Sequence, residues 1–132
     1  MLSASAERYP AKRIATQILL IEDDPRYREL LRAMLEGSGY AVRSAGDGEE
    51  GIESFRYRRP DLVITDMIMP HCDGIETIGV LREIDSTVPI IAISGGSDNV
   101  LMMARSIGAV AALGKPFDDS TLLGAISEAI GR

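Results

Sequence analysis

Short aliphatic runs alternate along this chain with longer stretches in which apolar residues recur every three or four positions. The runs occupy residues 18–21, 40–45, 62–65, 89–93 and 110–113. Runs this short, bounded by turn residues, suit parallel strands covered on both faces. Between them, Tyr27, Leu30, Leu31, Met34 and Leu35 fall at i, i+3, i+4, i+7 and i+8, an amphipathic helix. Ile52 with Phe55, Ile75 with Ile78 and Leu81, and Leu122 with Leu123, Ile126 and Ile130 keep the same spacing in three further helices. A helix is also expected between runs four and five. Strands alternating with helices predict a doubly wound α/β domain with a five-stranded parallel sheet and five helices. Right-handed crossovers then put every strand's carboxyl end on one rim.

Local signals punctuate these elements. Asp24 before Pro25 predicts an N-cap for the first helix, which Gly37 and Gly39 end. Asp47 and Glu50 predict a capping box for the second. Arg56, Arg58 and Arg59 close that helix, where cations complement the dipole, and Pro60-Asp61 lead into strand three. Asp98 is expected to cap the fourth helix, and Ser120 or Asp119 the fifth. Residues 100–104 (Val, Leu, Met, Met, Ala) are consecutive, so one helix face cannot bury them all. Scattered exposed methionine and a partner surface account equally well for the excess, which leaves room for a homodimer through helix four and strand five. Residues 1–16 form a separate arm, with at most a little helix near Tyr9 or Ile14, and 17–132 the domain. The arm carries Glu7, Arg8, Lys12 and Arg13 and has no apolar core, so it is not a signal peptide.

Composition narrows the function. The 132 residues are 45% hydrophobic and 26% charged, ordinary for one globular domain. A net charge of −6 and a pI near 4.8 argue against nucleic acid as a direct ligand and favour cations or a basic protein surface. Cys72 is the sole cysteine, which excludes an intrachain disulfide and fits a reducing compartment. No apolar run approaches the roughly 20 residues that span a bilayer. A cytoplasmic protein with no membrane partner is expected.

The chemistry gathers at the strand ends. Strand one runs into Glu22-Asp23-Asp24, strand three into Asp66, strand four into Ser94-Gly95-Gly96, and strand five into Gly114-Lys115-Pro116. Asp24 is explained as a helix cap. Glu22 and Asp23 are not, because a charge at the end of a buried strand is costly without a partner. In open α/β sheets ligands bind at that rim. The triplet Gly46-Asp47-Gly48 follows the second strand, and the turn after the first has no glycine, so a dinucleotide loop is excluded. His71 and Cys72 are adjacent and have no second pair, so they do not wrap a metal. His71 is expected to be an exposed loop residue.

Glu22 and Asp23, Asp66 with its Met69-Pro70…Asp73-Gly74 loop, Ser94, and Lys115-Pro116, in this order, resemble the receiver domain of two-component response regulators. The resemblance covers about residues 17–131. It implies the flavodoxin-like strand order 2-1-3-4-5. It also implies Asp66 as phosphoacceptor, with Ser94 and Lys115 contacting the phosphoryl group. Mg²⁺ is the implied cofactor, held by Glu22, Asp23, Asp66 and the carbonyl of Ile68. Implied partners are a sensor histidine kinase or a histidine phosphotransfer protein as donor, and a downstream protein target. The chain would be a stand-alone signalling switch rather than an enzyme, limited to self-phosphorylation from phosphohistidine and slow self-dephosphorylation. Ile68 and Gly96, two past Asp66 and Ser94, cannot orient a hydrolytic water. Three departures from the family stand out. Ala112 occupies the place of an aromatic in strand five, the interval from Ser94 to Lys115 is one residue short, and Ala109, Ala111 and Ala112 make strand five bland. Weaker or rerouted coupling to the fourth-helix face is expected. The alternative is a receiver-like interaction module that works without phosphorylation. An aspartyl phosphatase is disfavoured because Ile68 stands where its general acid would be, and a flavin binder because the loop after strand one is acidic.

Overall fold

A computed structural model describes residues 15–131. The arm's predicted bit of helix near Tyr9 or Ile14 lies outside them. Ten elements alternate strictly: β1 (Gln17–Ile21), α1 (Pro25–Gly37), β2 (Ala41–Ala45), α2 (Gly48–Tyr57), β3 (Leu62–Asp66), α3 (Gly74–Ile84), β4 (Ile90–Ser94), α4 (Asp98–Ser106), β5 (Ala111–Gly114) and α5 (Asp119–Ala129). The strands are all parallel, in the order β2-β1-β3-β4-β5. This is the flavodoxin-like arrangement expected.

The period-two alternation of the central strands separates two cores. Leu19, Ile21, Val63, Ile90 and Ala92 face Phe55 of α2, Ile78 and Leu81 of α3, and Ala104 of α4. Ile18, Leu20, Leu62, Ile64, Ile91 and Ile93 face Leu31 and Leu35 of α1, and Leu122 and Ile126 of α5. Because β1, β3 and β4 are covered on both faces, they read as continuous aliphatic runs. Each large aliphatic side chain buried there contributes roughly 1.5–3 kcal/mol. The edge strands β2 and β5 are only half-buried.

Several boundaries and caps differ from expectation. Strand two starts at Ala41, not Tyr40, because the Tyr40 N–H closes α1 on the Leu35 carbonyl at 3.1 Å. Leu30 lies off the buried stripe of α1 and is 64% exposed, so the stripe is Tyr27, Leu31, Met34 and Leu35. Asp24 caps α1 as expected. Asp47 caps α2, but Glu50 reaches back to the Gly46 N–H rather than to that of Asp47. The cap of α4 is Ser97, which makes no side-chain cap bond, and Asp98 is the first helical residue. The cap of α5 is Asp118, not Asp119 or Ser120, and it accepts from the Thr121 N–H at 3.0 Å and the Thr121 hydroxyl at 2.7 Å. Met102 and Met103 are exposed on α4, as the consecutive apolar residues required. No helix among the described residues is long and apolar enough to cross a membrane.

Candidate functional site

The sheet register sets the spacing of the rim. Ile21 pairs with Thr65, so Glu22 comes level with Asp66. Asp66 pairs with Ile93, and Ser94 with Gly114, which carries Lys115 two residues beyond the level of Asp66. The Lys115 side chain folds back across that offset. Its Nζ lies 3.2 Å from Glu22 Oε1 and 3.2 Å from Asp66 Oδ2. Both carboxyls are buried, Glu22 to 1% exposure and Asp66 to 5%. Carboxylate oxygens of Glu22, Asp23 and Asp66 lie within 4.8 Å of one another.

Each acid is also tied to the backbone. Asp66 Oδ1 accepts the Met67 N–H at 2.8 Å, and Glu22 Oε2 accepts the Asp24 N–H at 3.1 Å. The Arg28 guanidinium donates to the Glu22 carbonyl at 2.8 Å. Burial is the main reason the Glu22 carboxyl is pushed up to about 7. The Asp24 N–H and Lys115 oppose that rise, while the Asp66 charge adds to it. Burial acts to lower the Lys115 ammonium, yet the charges of Asp66 and Glu22 outweigh it and its pKa is raised. Two of the three acids thus converge on one ammonium.

The loop between β3 and α3 is fixed from below. The Met67 N–H bonds to the Ile93 carbonyl and the Gly74 N–H to the Met67 carbonyl. A Cβ on Gly74 would sit 2.5 Å from Met67 Cα and 2.7 Å from the Asp66 carbonyl oxygen, so only glycine permits this approach. Asp73 caps α3 through the Glu76 N–H. Ile68 projects into solvent at 59% exposure, and His71 is exposed as expected. Cys72 is buried against Thr77.

Ser94 sits on the other side of the rim. Its hydroxyl is fully buried and accepts the Gly96 N–H at 2.9 Å, bonding to its own loop rather than to the carboxylates. A Cβ on Gly95 would meet nothing within 4 Å, so the approach there is open. One on Gly96 would lie 3.1 Å from Ile68 Cδ1. The structure therefore gathers Glu22, Asp23, Asp66 and Lys115, with Ser94 and Ile68 flanking them.

Sequence reasoning missed two residues. Tyr27 presents its ring 4.5 Å from Lys115 Nζ, and Arg28 holds the end of β1. Tyr27 was hidden because its spacing is that of an ordinary core stripe. Arg28 looked like one more surface charge.

Residues 18–127 match the family model described as the response regulator receiver domain. The chain belongs to that family. This receiver is 36% identical over 118 residues to the transcriptional regulatory protein CseB of Streptomyces coelicolor, covering 89% of this chain and 50% of CseB. It is 34% identical to the DNA-binding response regulator MtrA of Mycolicibacterium smegmatis, covering 88% of this chain and 51% of MtrA. The chain thus spans about half the length of the curated relatives it matches. Among solved structures it is similar to a putative response regulator from Chloroflexus aurantiacus (TM-score 0.85, 29% identity, 89% of this chain and 99% of that one). It is also similar to the chemotaxis protein CheY4 of Vibrio cholerae (TM-score 0.81, 27% identity, 87% and 98%). The family is one of two-component signalling.

The donor set of this receiver suits a hard divalent cation. Mg²⁺ takes oxygen ligands, usually one or two carboxylates completed by water and phosphate. Glu22, Asp23 and Asp66 offer such oxygens, and their charge exceeds what Lys115 balances.

Proposed function

We propose that this receiver accepts a phosphoryl group on Asp66 from a phosphohistidine and thereby changes its affinity for a protein partner. One observation carries the reading: the buried Asp66 carboxylate is held by Lys115 within 4.8 Å of the Glu22 and Asp23 oxygens. Asp23, Asp66, Glu22 and the Ile68 carbonyl would hold Mg²⁺, which would supply neutralisation of the phosphoryl charge.

An Asp66 carboxylate oxygen attacks phosphorus, the P–N bond to the donor imidazole breaks, and the leaving imidazole takes up a proton. Asp66 becomes an acyl phosphate. Lys115 already points at Asp66 Oδ2, so its ammonium needs little motion to meet the new charge. The Ser94 hydroxyl can leave the Gly96 N–H and donate to a phosphoryl oxygen, drawing the β4–α4 loop inward. Donors on a sensor histidine kinase or histidine phosphotransfer protein approach over Gly95, where there is space.

With Ala112 in β5, no aromatic there can follow Ser94, so the state is read through the loop and α4. Exposed Met102, Met103 and Val110 make that face the surface offered to a partner or a second copy. Ile68 and Gly96 offer no group to orient water, which gives the phosphoryl group a long life. Borohydride reduction of the phosphorylated protein tests the assignment. Homoserine at position 66 supports it; homoserine elsewhere, or none in protein that has gained a phosphoryl group, refutes it.

A further inference from the structure

Tyr27 lies on the first turn of α1, three residues beyond the capping Asp24. Its half-buried ring stands 4.5 Å from Lys115 Nζ. At that distance an ammonium over an aromatic face is attracted by the ring quadrupole, more strongly where water is excluded. The ammonium therefore has three neighbours: Glu22 Oε1, Asp66 Oδ2 and the ring. Lysine is a flexible four-carbon stem carrying a point charge, so its aim depends on what surrounds it.

The three neighbours differ in what phosphorylation does to them. Asp66 gives up its free carboxylate and gains a phosphoryl group of about −1.5 to −2 charge. Glu22 keeps its carboxyl and competes for the same ammonium from 3.2 Å. The ring is uncharged and does neither. It limits where Nζ can swing without drawing it away from the phosphoryl position. Among the described residues, it is also the aromatic ring seen against a site charge, in a chain whose β5 carries Ala112 where the resemblance leads one to expect an aromatic.

We infer that Tyr27 is a positioning residue for phosphoryl transfer, holding the Lys115 ammonium over Asp66 by its ring face. The inference rests on Asp66 being the acceptor. The ring, not the hydroxyl, does this, so phenylalanine is a full replacement and leucine is not.

The test compares the full chain with Tyr27→Phe and Tyr27→Leu, using acetyl phosphate at saturating Mg²⁺. Tyr27→Phe keeps the wild-type phosphorylation rate, and Tyr27→Leu loses about three- to tenfold. Mg²⁺ affinity stays unchanged in both, which a general loosening of the site would not predict. The Lys115 ε-methylene protons, shifted upfield by the ring current in wild type and Tyr27→Phe, move downfield in Tyr27→Leu. An unchanged rate in Tyr27→Leu, equal losses in both variants, or a loss matched by weaker Mg²⁺ binding overturns the inference and leaves the acceptor assignment standing. A wild type that takes no phosphoryl group strikes the acceptor assignment itself.

Discussion

The two halves of the rim are built to different tolerances. On the β1–β3 side, Glu22 and Asp66 are buried, paired with the Lys115 ammonium that reaches them from the end of β5, and tied to backbone groups. On the β4–α4 side, Gly95 and Gly96 are exposed, and α4 starts at Ser97 without a side-chain cap bond. The other four helices each start at an aspartate whose side chain accepts a backbone N–H: Asp24, Asp47, Asp73 and Asp118. The contrast separates two tasks. A phosphoryl group needs a charge seat arranged in advance, because its transfer is catalysed by placement and electrostatics. A switch needs an element whose two arrangements differ little in energy. The tight half receives and the loose half responds.

The largest effect should come from the tight half. Lys115→Ala removes the ammonium that meets the phosphoryl charge, and phosphorylation by acetyl phosphate should slow by about 100-fold while Mg²⁺ still binds. A wild-type rate would mean the ammonium merely balances charge in the resting protein.

The pH dependence of the same half comes next. Glu22 has a folded pKa of about 7, above its ordinary 4.5, mainly because burial disfavours its charge. The folded protein therefore holds that proton more tightly than the unfolded chain. The resulting stability is fully present below pH 4.5 and is lost as pH rises through 7. Without Mg²⁺, unfolding free energy should fall between those limits by on the order of 3 kcal/mol. Mg²⁺ needs the carboxylate, so its affinity should weaken below pH 7, and Glu22→Gln should flatten both profiles. Asp85 and Asp118, whose pKa values are lowered first of all by the Thr87 N–H and by Thr121 respectively, contribute their change only below this window. Metal-free denaturation and Mg²⁺ titrations across that range check the sign; stability that rises with pH contradicts it.

Where the halves meet, at the β3–α3 loop, Ile68→Asn places an amide able to orient water beside Asp66. The phosphoryl lifetime should shorten several-fold, and an unchanged half-life would show that water access is limited elsewhere. The smallest effect separates the caps. Asp118→Ala should cost about 1 kcal/mol in chemical denaturation, and Ser97→Ala close to nothing. Equal costs would remove the distinction between the two halves.

Much of this was legible in the chain. Strand three and its terminal Asp66 follow from an aliphatic run broken by one acid, and the strand order followed from the resemblance those residues carry. The caps of α4 and α5 were each misplaced by a residue or two because several cap-competent side chains stand in a row there. The choice among Asp118, Asp119 and Ser120 was made by which one took extended backbone, which tertiary packing sets. Leu30 obeyed the helical spacing yet faces water, since i+3 and i+4 positions are about 100° apart and only one lies on the stripe. Tyr27 was invisible as a site residue because its contact with Lys115 joins positions distant in the chain. The paired seat of Lys115 between Glu22 and Asp66 depends on the register offset of β5, which no local pattern encodes.

The most direct measurement is the intact mass of wild type and Asp66→Asn after incubation with acetyl phosphate, with and without Mg²⁺. A gain of one phosphoryl group by wild type alone, and only with Mg²⁺, is the predicted result. An equal gain by Asp66→Asn, or no gain by a wild type that binds Mg²⁺, would contradict the assignment of Asp66 as the acceptor.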